Sequence, residues 1–490
     1  MGARSASPME LVRRFLFIAA LLAVVLGAGA VTHYVRHPSV PLDTQGYALD
    51  FRVLYCGAET VRLGRDPYLV EPLRTCEHRI HREYGEPDWA VTPLPLPSYA
   101  IAAFVPLTWL PFDAAKIVWL VLLLLAVVLA VAALASIVEK STLAVLLILL
   151  PTVGILNFVY GEPVPLAIAA LCLAAYLVER QHYGWAAIVA ALSVVEPHIA
   201  LPAIVALFVL VPQTRLPLTI TLVAIGAFGL GTFGLGRNVE YFTVALPAQA
   251  HAELLVSDQY SLAHMLYLFG VPGGLALALG SLSYAVTTLL GILLARRLAP
   301  PLERPALYVL LPVATAMLGG PDVHIVQIAC AIPAALLLAP LSWFARIAIA
   351  LLVVRWEEPL RAEILPVLFA AIGTAFVAFD REEVRGRVAW IVFAPLLCLT
   401  MLLALPKEPP ELTHIASGTP APAIRADDPA SLAWDWRVRL TPDWANSSLR
   451  RKIEDVPTWV ALLLLFFVRA PRTNPFRVSS RGYSTPRYEL

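Results

Sequence analysis

Residues 112–138, FDAAKIVWLVLLLLAVVLAVAALASIV, decide the fold class. From Ile117 to Val138 the run holds no charge, no proline and no glycine. At 1.5 Å per residue such a helix is long enough to cross the ~30 Å hydrocarbon core of a bilayer. Working outward, further apolar runs lie at 15–31, 141–160, 163–178, 183–195, 198–211, 216–235, 271–294, 306–318, 324–339, 343–354, 364–379 and 388–405. Together they predict about 13 spans, with a range of roughly 12–14 because several are short. The expected class is therefore an all-α polytopic membrane protein, since helices satisfy their own backbone in lipid.

Composition agrees. The 490 residues are 59% hydrophobic and only 14% charged, with a mean hydropathy of +0.74. The formal net charge of +1 gives no electrostatic reason to expect a nucleic-acid partner. Many of the 41 prolines fall in or beside apolar runs, which predicts short or broken helices re-satisfied by their neighbours. No P-loop and no dinucleotide fingerprint is present, so a nucleotide-bound substrate is not indicated.

Charge sets the expected orientation. Arg4, Arg13 and Arg14 precede the first run against a single Glu10. The positive-inside rule makes this an uncleaved helix with its N-terminus in the cytoplasm. Arg180 with His182, Arg215, and Arg296, Arg297 and Arg304 then belong inside. That alternation works when 99–111, apolar but short, is a re-entrant or interfacial piece rather than a span. Five features are thereby expected outside, on one face. They are the first loop, the Gly161-Glu162-Pro163 turn, Glu196-Pro197-His198, loop 236–270, and 319–324. The organisation expected is a transmembrane domain over 1–405, with its site in the first outer loop, 33–111. A polar tail over 406–490 contains a short apolar segment at 458–468, which we expect to lie on the membrane surface or to span it.

The first loop carries the polar chemistry. In 50–64, Phe51, Leu54, Tyr55, Ala58 and Val61 recur at helical spacing, with Arg52, Glu59 and Arg62 on other faces. Gly64 reads as a helix stop and Asp66-Pro67-Tyr68 as a turn. Asp50 falls at the helix start, where a carboxylate either caps the helix or is held as an anion for chemistry. Cys56 and Cys76 share the loop and pair as a disulfide if it faces an oxidising compartment; two free thiols are the alternative. Cys172 and Cys330 lie in apolar runs as small core residues. No convincing metal-ligand cluster stands out. His78 and His81 beside Cys76 have a helical spacing but belong more naturally to a solvated loop.

Asp50, Phe51, Val53, Tyr55, Ala58, Gly64, Asp66, Pro67 and Tyr68 resemble the signature of glycosyltransferase family 87. Thr92-Pro93-Leu94-Pro95, followed by Pro106-Leu107, Leu110-Pro111, Ala114 and Trp119, is similar to the same family. Weaker likenesses follow in Asp258-Gln259-Tyr260-Ser261-Leu262 and Pro321-Asp322-Val323-His324. Two positions depart from the family pattern. Glu162 stands where a Gln is usual, and Glu196 where a Lys is usual.

The resemblance implies a C-type glycosyltransferase bundle with juxtamembrane helices in the first outer loop. It implies transfer of a hexose, mannose in the first instance, from a polyprenyl phosphate to a lipid-linked glycan or polysaccharide outside the cytoplasm. The partners it implies are the lipid-phosphate sugar, a glycan or glycolipid acceptor and the bilayer; from the residues themselves, no cofactor and no metal is expected. The catalytic acid falls on Asp50, as the single general base of an inverting displacement. The leaving phosphate calls for cations or hydrogen-bond donors. His324, His198, Arg52 and Arg62 are the candidates. Asp66, Tyr68, Asp258, Gln259 and Glu162 are candidates for the acceptor. The competing class is a transporter or flippase for an amphipathic solute, which would place ionisable groups near the bilayer midplane. Here they collect at one edge, as suits an interfacial enzyme in a plasma membrane.

Overall fold

The computed structural model describes residues 50–80, 89–150, 152, 160–256, 259–353, 423–440 and 449–469. The expected spans at 15–31, 364–379 and 388–405 lie outside these residues, as does Asp258. Every named element among the described residues is helical. The first loop gives α1 (Phe51–Arg62) and α2 (Val70–Ile80). Then come α3 (Ser98–Phe104), α4 (Phe112–Val138), α5 (Thr142–Leu149), α6 (Val164–Glu179), α7 (Tyr183–Leu192) and α8 (Pro197–Leu210). They are followed by α9 (Arg215–Glu240), α10 (Leu246–Glu253), α11 (Leu262–Leu268), α12 (Gly273–Leu302) and α13 (Leu307–Ala316). The described remainder supplies α14 (Ile325–Ile328), α15 (Ile332–Leu338), α16 (Trp343–Leu352), α17 (Ala430–Leu440) and α18 (Leu449–Leu464).

Three helices among the described residues are long and apolar enough to cross a membrane: Phe112–Val138, Pro212–Glu253 and Gly273–Leu302. Eight shorter apolar helices accompany them. The reason for the short ones is visible in the chain. Pro197 starts α8, Pro202 lies within it, and Pro312 interrupts the α13 backbone ladder. A 14-residue helix such as α8 reaches only ~21 Å, short of a full hydrocarbon core.

The core is built from small and branched residues of α4, α5, α6, α13 and α15, with Leu134, Val145, Cys172, Leu311 and Leu336 fully or nearly fully buried. The long helices α9 and α12 instead turn Leu216, Ile220, Val223, Leu282 and Leu289 outward. Exposed apolar rows of this kind suit hydrocarbon as their solvent. This is the all-α membrane architecture the sequence predicts.

The two ends of the bundle differ. At one end, Arg304 pairs with Glu139 at 3.4 Å and Glu179 accepts from the Ala306 N–H at 3.2 Å. The other end collects the turns expected to share a face. Asp50 meets Tyr160, Arg237 meets the 64–66 turn, and Gln259 pairs with His324 in an isolated antiparallel bridge. The piece 99–111 forms α3 and a 3-10 turn (Val105–Trp109), tucked against α1 and α9 instead of crossing alone.

Candidate active site

Asp50 is half-buried and sits with φ −77° and ψ −14°, already in helical conformation. Its side chain makes no capping hydrogen bond to α1. The helix-cap role open in the sequence is therefore not the one it plays. Its backbone N–H donates to the Tyr160 carbonyl at 2.7 Å. The next residue, Gly161, has φ +79°, a conformation that strains any residue with a Cβ. The Trp119 indole N–H donates to the Gly161 carbonyl at 2.7 Å. One turn, bearing Glu162, is thus gripped from α1 and from α4.

Packing fixes the position further. The Phe51 ring stacks on Phe112 and on Trp119, each at 5.8 Å between centroids, and the Tyr55 hydroxyl donates to the Leu110 carbonyl at 2.9 Å. Cys56 and Cys76 form a disulfide that ties α1 to α2.

The other polar groups of the first loop serve this scaffold. Arg52 is buried, 4.0 Å from Glu77. Arg62 and Arg79 both reach Glu59, the former at 3.3 Å. Asp66 accepts from the Tyr68 N–H at 2.9 Å, an Asx turn, and lies 3.7 Å from Arg237. The Tyr68 hydroxyl, deep in the packing, donates to the Leu96 carbonyl at 3.0 Å. Arg52, Arg62, Asp66 and Tyr68 are thus placed as struts of the loop, the two arginines beside acids.

A second polar corner forms where four segments converge. His324 precedes α14, with its backbone N–H bonded to the Gln327 side chain at 2.8 Å. Its Nε2 is 3.3 Å from Glu253, 3.3 Å from Asp322 and 2.9 Å from the Gln259 amide nitrogen. Gln259 also contacts Asp322, and its amide oxygen accepts from the Val323 N–H at 3.1 Å. Burial opposes the Asp322 charge, but His324 and these bonds outweigh it and hold the carboxyl low. Gly319, just before this loop, lies so close to α12 that a Cβ would come within 2.6 Å of the Ser283 carbonyl oxygen.

Glu196 and His198 border the same corner. Glu196 is buried, and burial, with help from Asp322 and against His324, pushes its carboxyl up to about 8. His198 Nδ1 stands 3.7 Å from it. At neutral pH, Glu196 is thus largely a neutral acid at the position where the family pattern has a cation.

The corner is closed by a segment the sequence does not single out. Residues 426–430 bond to the first loop: Val70 N–H to the Asp428 carbonyl at 3.0 Å, Glu71 N–H to Ala426 at 3.0 Å, and Ala430 N–H to Tyr68 at 2.8 Å. Helix α17 then brings Trp434, whose indole N–H donates to Glu253 at 3.0 Å. Gln249 donates to the same carboxylate oxygen at 2.6 Å. Glu253, Gln249 and Trp434 carry no motif. The one hint is an acid and a Trp in otherwise mixed loops. Helix α18 and its 3-10 end absorb the 458–468 segment, and Trp459 bonds the Tyr260 carbonyl at 3.1 Å.

The model of glycosyltransferase family 87 matches residues 97–321. Over that stretch, just under half of the chain, the sequence is similar to glycosyltransferase family 87. The family 87 match takes in Glu162, Glu196, Gln249, Glu253 and Gln259; it begins after Asp50 and stops one residue before Asp322. No curated protein and no solved structure matches the chain. The family 87 match and the apolar membrane-length helices together support a membrane glycosyltransferase.

Proposed function

We propose that this family 87 enzyme transfers a hexose, mannose in the first instance, from a polyprenyl phosphate to a lipid-linked glycan or polysaccharide, with inversion and with Asp50 as general base. The observation that carries the reading is Asp50 itself, a carboxylate at a helix start that does not cap its own helix and is anchored by its backbone to the Tyr160–Gly161 turn.

A sugar on a phosphate already has a good leaving group. What remains is to remove a proton from the acceptor hydroxyl while it attacks the anomeric carbon from the face opposite the phosphate. One carboxylate does this. The departing phosphate gains negative charge and needs a cation or donors beside it. His324 and His198 are the groups assigned to that task. Arg52 and Arg62 rank behind them, set in the first loop beside Glu77 and Glu59. Gln259 and Glu162 remain the acceptor-side candidates.

The same reading sets the site on the outer face of a plasma membrane, with the N-terminus in the cytoplasm. The Cys56–Cys76 bridge supports it, since such bridges persist in oxidising compartments. The arginines at the opposite end of the bundle agree with cytoplasmic loops.

The donor is tested with purified protein in lipid nanodiscs, offered radiolabelled mannose as polyprenyl phosphate or as a nucleotide sugar with a panel of glycolipid acceptors. Transfer from the polyprenyl phosphate alone is expected. Transfer from the nucleotide sugar, with none from the lipid phosphate, overturns the donor assignment.

A further inference from the structure

We infer that Trp434 and Arg437, on one face of α17, are positioning residues that fix the His324 corner relative to the loop carrying Asp50. The inference rests on the reading above, in which Asp50 takes the acceptor proton and His324 faces the leaving phosphate. It adds that the two are held in register by a helix that lies outside the family 87 match.

Helix α17 turns one face inward. Ala430, Ala433, Trp434 and Arg437 follow the i, i+3, i+4, i+7 spacing of a single helix face. Both alanines and Arg437 are buried, while Leu432, Trp436 and Arg439 are exposed on the other side. Arg439 is paired within the helix, 2.8 Å from Asp435. Arg437 is instead taken inside, at 8% exposure, where a guanidinium is costly unless it is held.

The two inward polar groups end in different places. The Trp434 N–H donates to one oxygen of Glu253 at 3.0 Å, and the other oxygen is 3.3 Å from His324 Nε2. One turn on, the Arg437 guanidinium lies 5.8 Å from the centre of the Trp434 ring and 3.4 Å from the Thr92 hydroxyl. The Thr92 N–H donates to Glu77 at 3.2 Å, and Glu77 is 4.0 Å from Arg52. Arg52 follows Asp50 by two positions on α1, and Glu77 follows Cys76, which is bridged to Cys56. A single helical turn therefore touches both the stapled base of the Asp50 loop and the acid beside His324. Ahead of it, three backbone bonds join 426–430 to 68–71, and Leu69 pairs with Pro429 in an isolated antiparallel bridge.

An in-line displacement needs the base, the anomeric carbon and the phosphate contacts in place at the same moment, and small misplacements are costly in rate. A residue that sets this spacing acts on kcat and leaves KM near its value.

The full-length protein in lipid nanodiscs is assayed for transfer from polyprenyl-phosphate mannose, and its backbone amide hydrogen exchange is followed without donor. Arg437→Gln is expected to lower kcat about tenfold, with KM for the donor within about twofold of wild type. Adding Leu69→Cys and Pro429→Cys, a bridge pair close enough for a disulfide, should restore most of that loss on oxidation. Arg437→Gln should also speed exchange at least about fivefold, both at Val70 and Glu71 and in α10. Unchanged kcat, a rise in KM alone, no recovery on oxidation, or faster exchange confined to α17 overturns the inference. Trp434→Phe, a milder change, carries the same exchange test if Arg437→Gln fails to fold. Exchange is read without any sugar. Failure of transfer in the wild type therefore strikes the donor reading, and the exchange result alone then decides the clamp.

Discussion

The two polar corners are built in opposite ways. The Asp50 corner has a local frame, one helix of 12 residues, a disulfide 20 residues apart in sequence and an Asx turn, to which the Tyr160 carbonyl, Phe112 and Trp119 add anchors from farther along the chain. The His324 corner is assembled at long range. It draws on α10, the loop before α11, the 319–324 loop and α17, and Trp434 meets Glu253 across 181 positions. The Asp50 carboxylate rests on a covalently stapled loop, whereas the His324 corner is closed by segments that belong to different parts of the chain.

The largest effect is expected at the local corner. Asp50→Asn keeps the shape and removes the base, so kcat should fall about 10²–10⁴-fold with KM little changed. Steady-state transfer assays check this, and an equal loss from Glu162→Gln would move the chemistry to the neighbouring turn. Next, Cys56→Ser with Cys76→Ser should destabilise the enzyme by about 2–4 kcal/mol, seen in thermal unfolding. Among the described residues the long-range corner has no such staple, so reducing agent should loosen the Asp50 corner first.

At the other corner, Trp434→Phe keeps the ring and deletes one N–H to a carboxylate. A loss of roughly 1.5 kcal/mol, read as about a tenfold drop in turnover, is expected if Glu253 works in the site. Glu196 gives a pH signature. Its carboxyl is raised from 4.5 to about 8, so the folded protein keeps a proton that the unfolded chain releases. The stability this contributes is whole below the ordinary glutamate value and is lost as pH rises through about 8. Thermal stability should therefore decline over that window in the wild type and stay flatter in Glu196→Gln. The smallest effect belongs to Arg62→Ala. Its exposed pair with Glu59 is worth at most about 0.5 kcal/mol, and calorimetry should barely register the change.

Sequence legibility followed the same division. The helix at 50–64 appears as Phe51–Arg62, with Gly64 at φ +71° just beyond it. The turn role of Asp66 was readable because an Asx turn needs only its own neighbours. Charge parity along the chain predicts that these turns share a face, and Gln259 with His324 and Arg237 with the 64–66 turn do meet. Glu253, Gln249 and Trp434 were not readable, because nothing local distinguishes a buried acid that finds partners three segments away. Nor was the engagement of Arg52 by Glu77, since it depends on how α2 folds back over α1. Helix lengths were partly legible: the proline pattern foretold breaks, but not that only three described helices would reach full membrane length.

The central claim is that the Asp50 carboxylate removes the acceptor proton. Chemical rescue tests it most directly. Asp50→Gly opens room at the helix start, and formate is added while transfer from polyprenyl-phosphate mannose is measured. The account predicts a nearly inactive variant whose turnover rises with formate concentration, while the wild type does not respond. Wild-type transfer by Asp50→Gly in the absence of formate would contradict it.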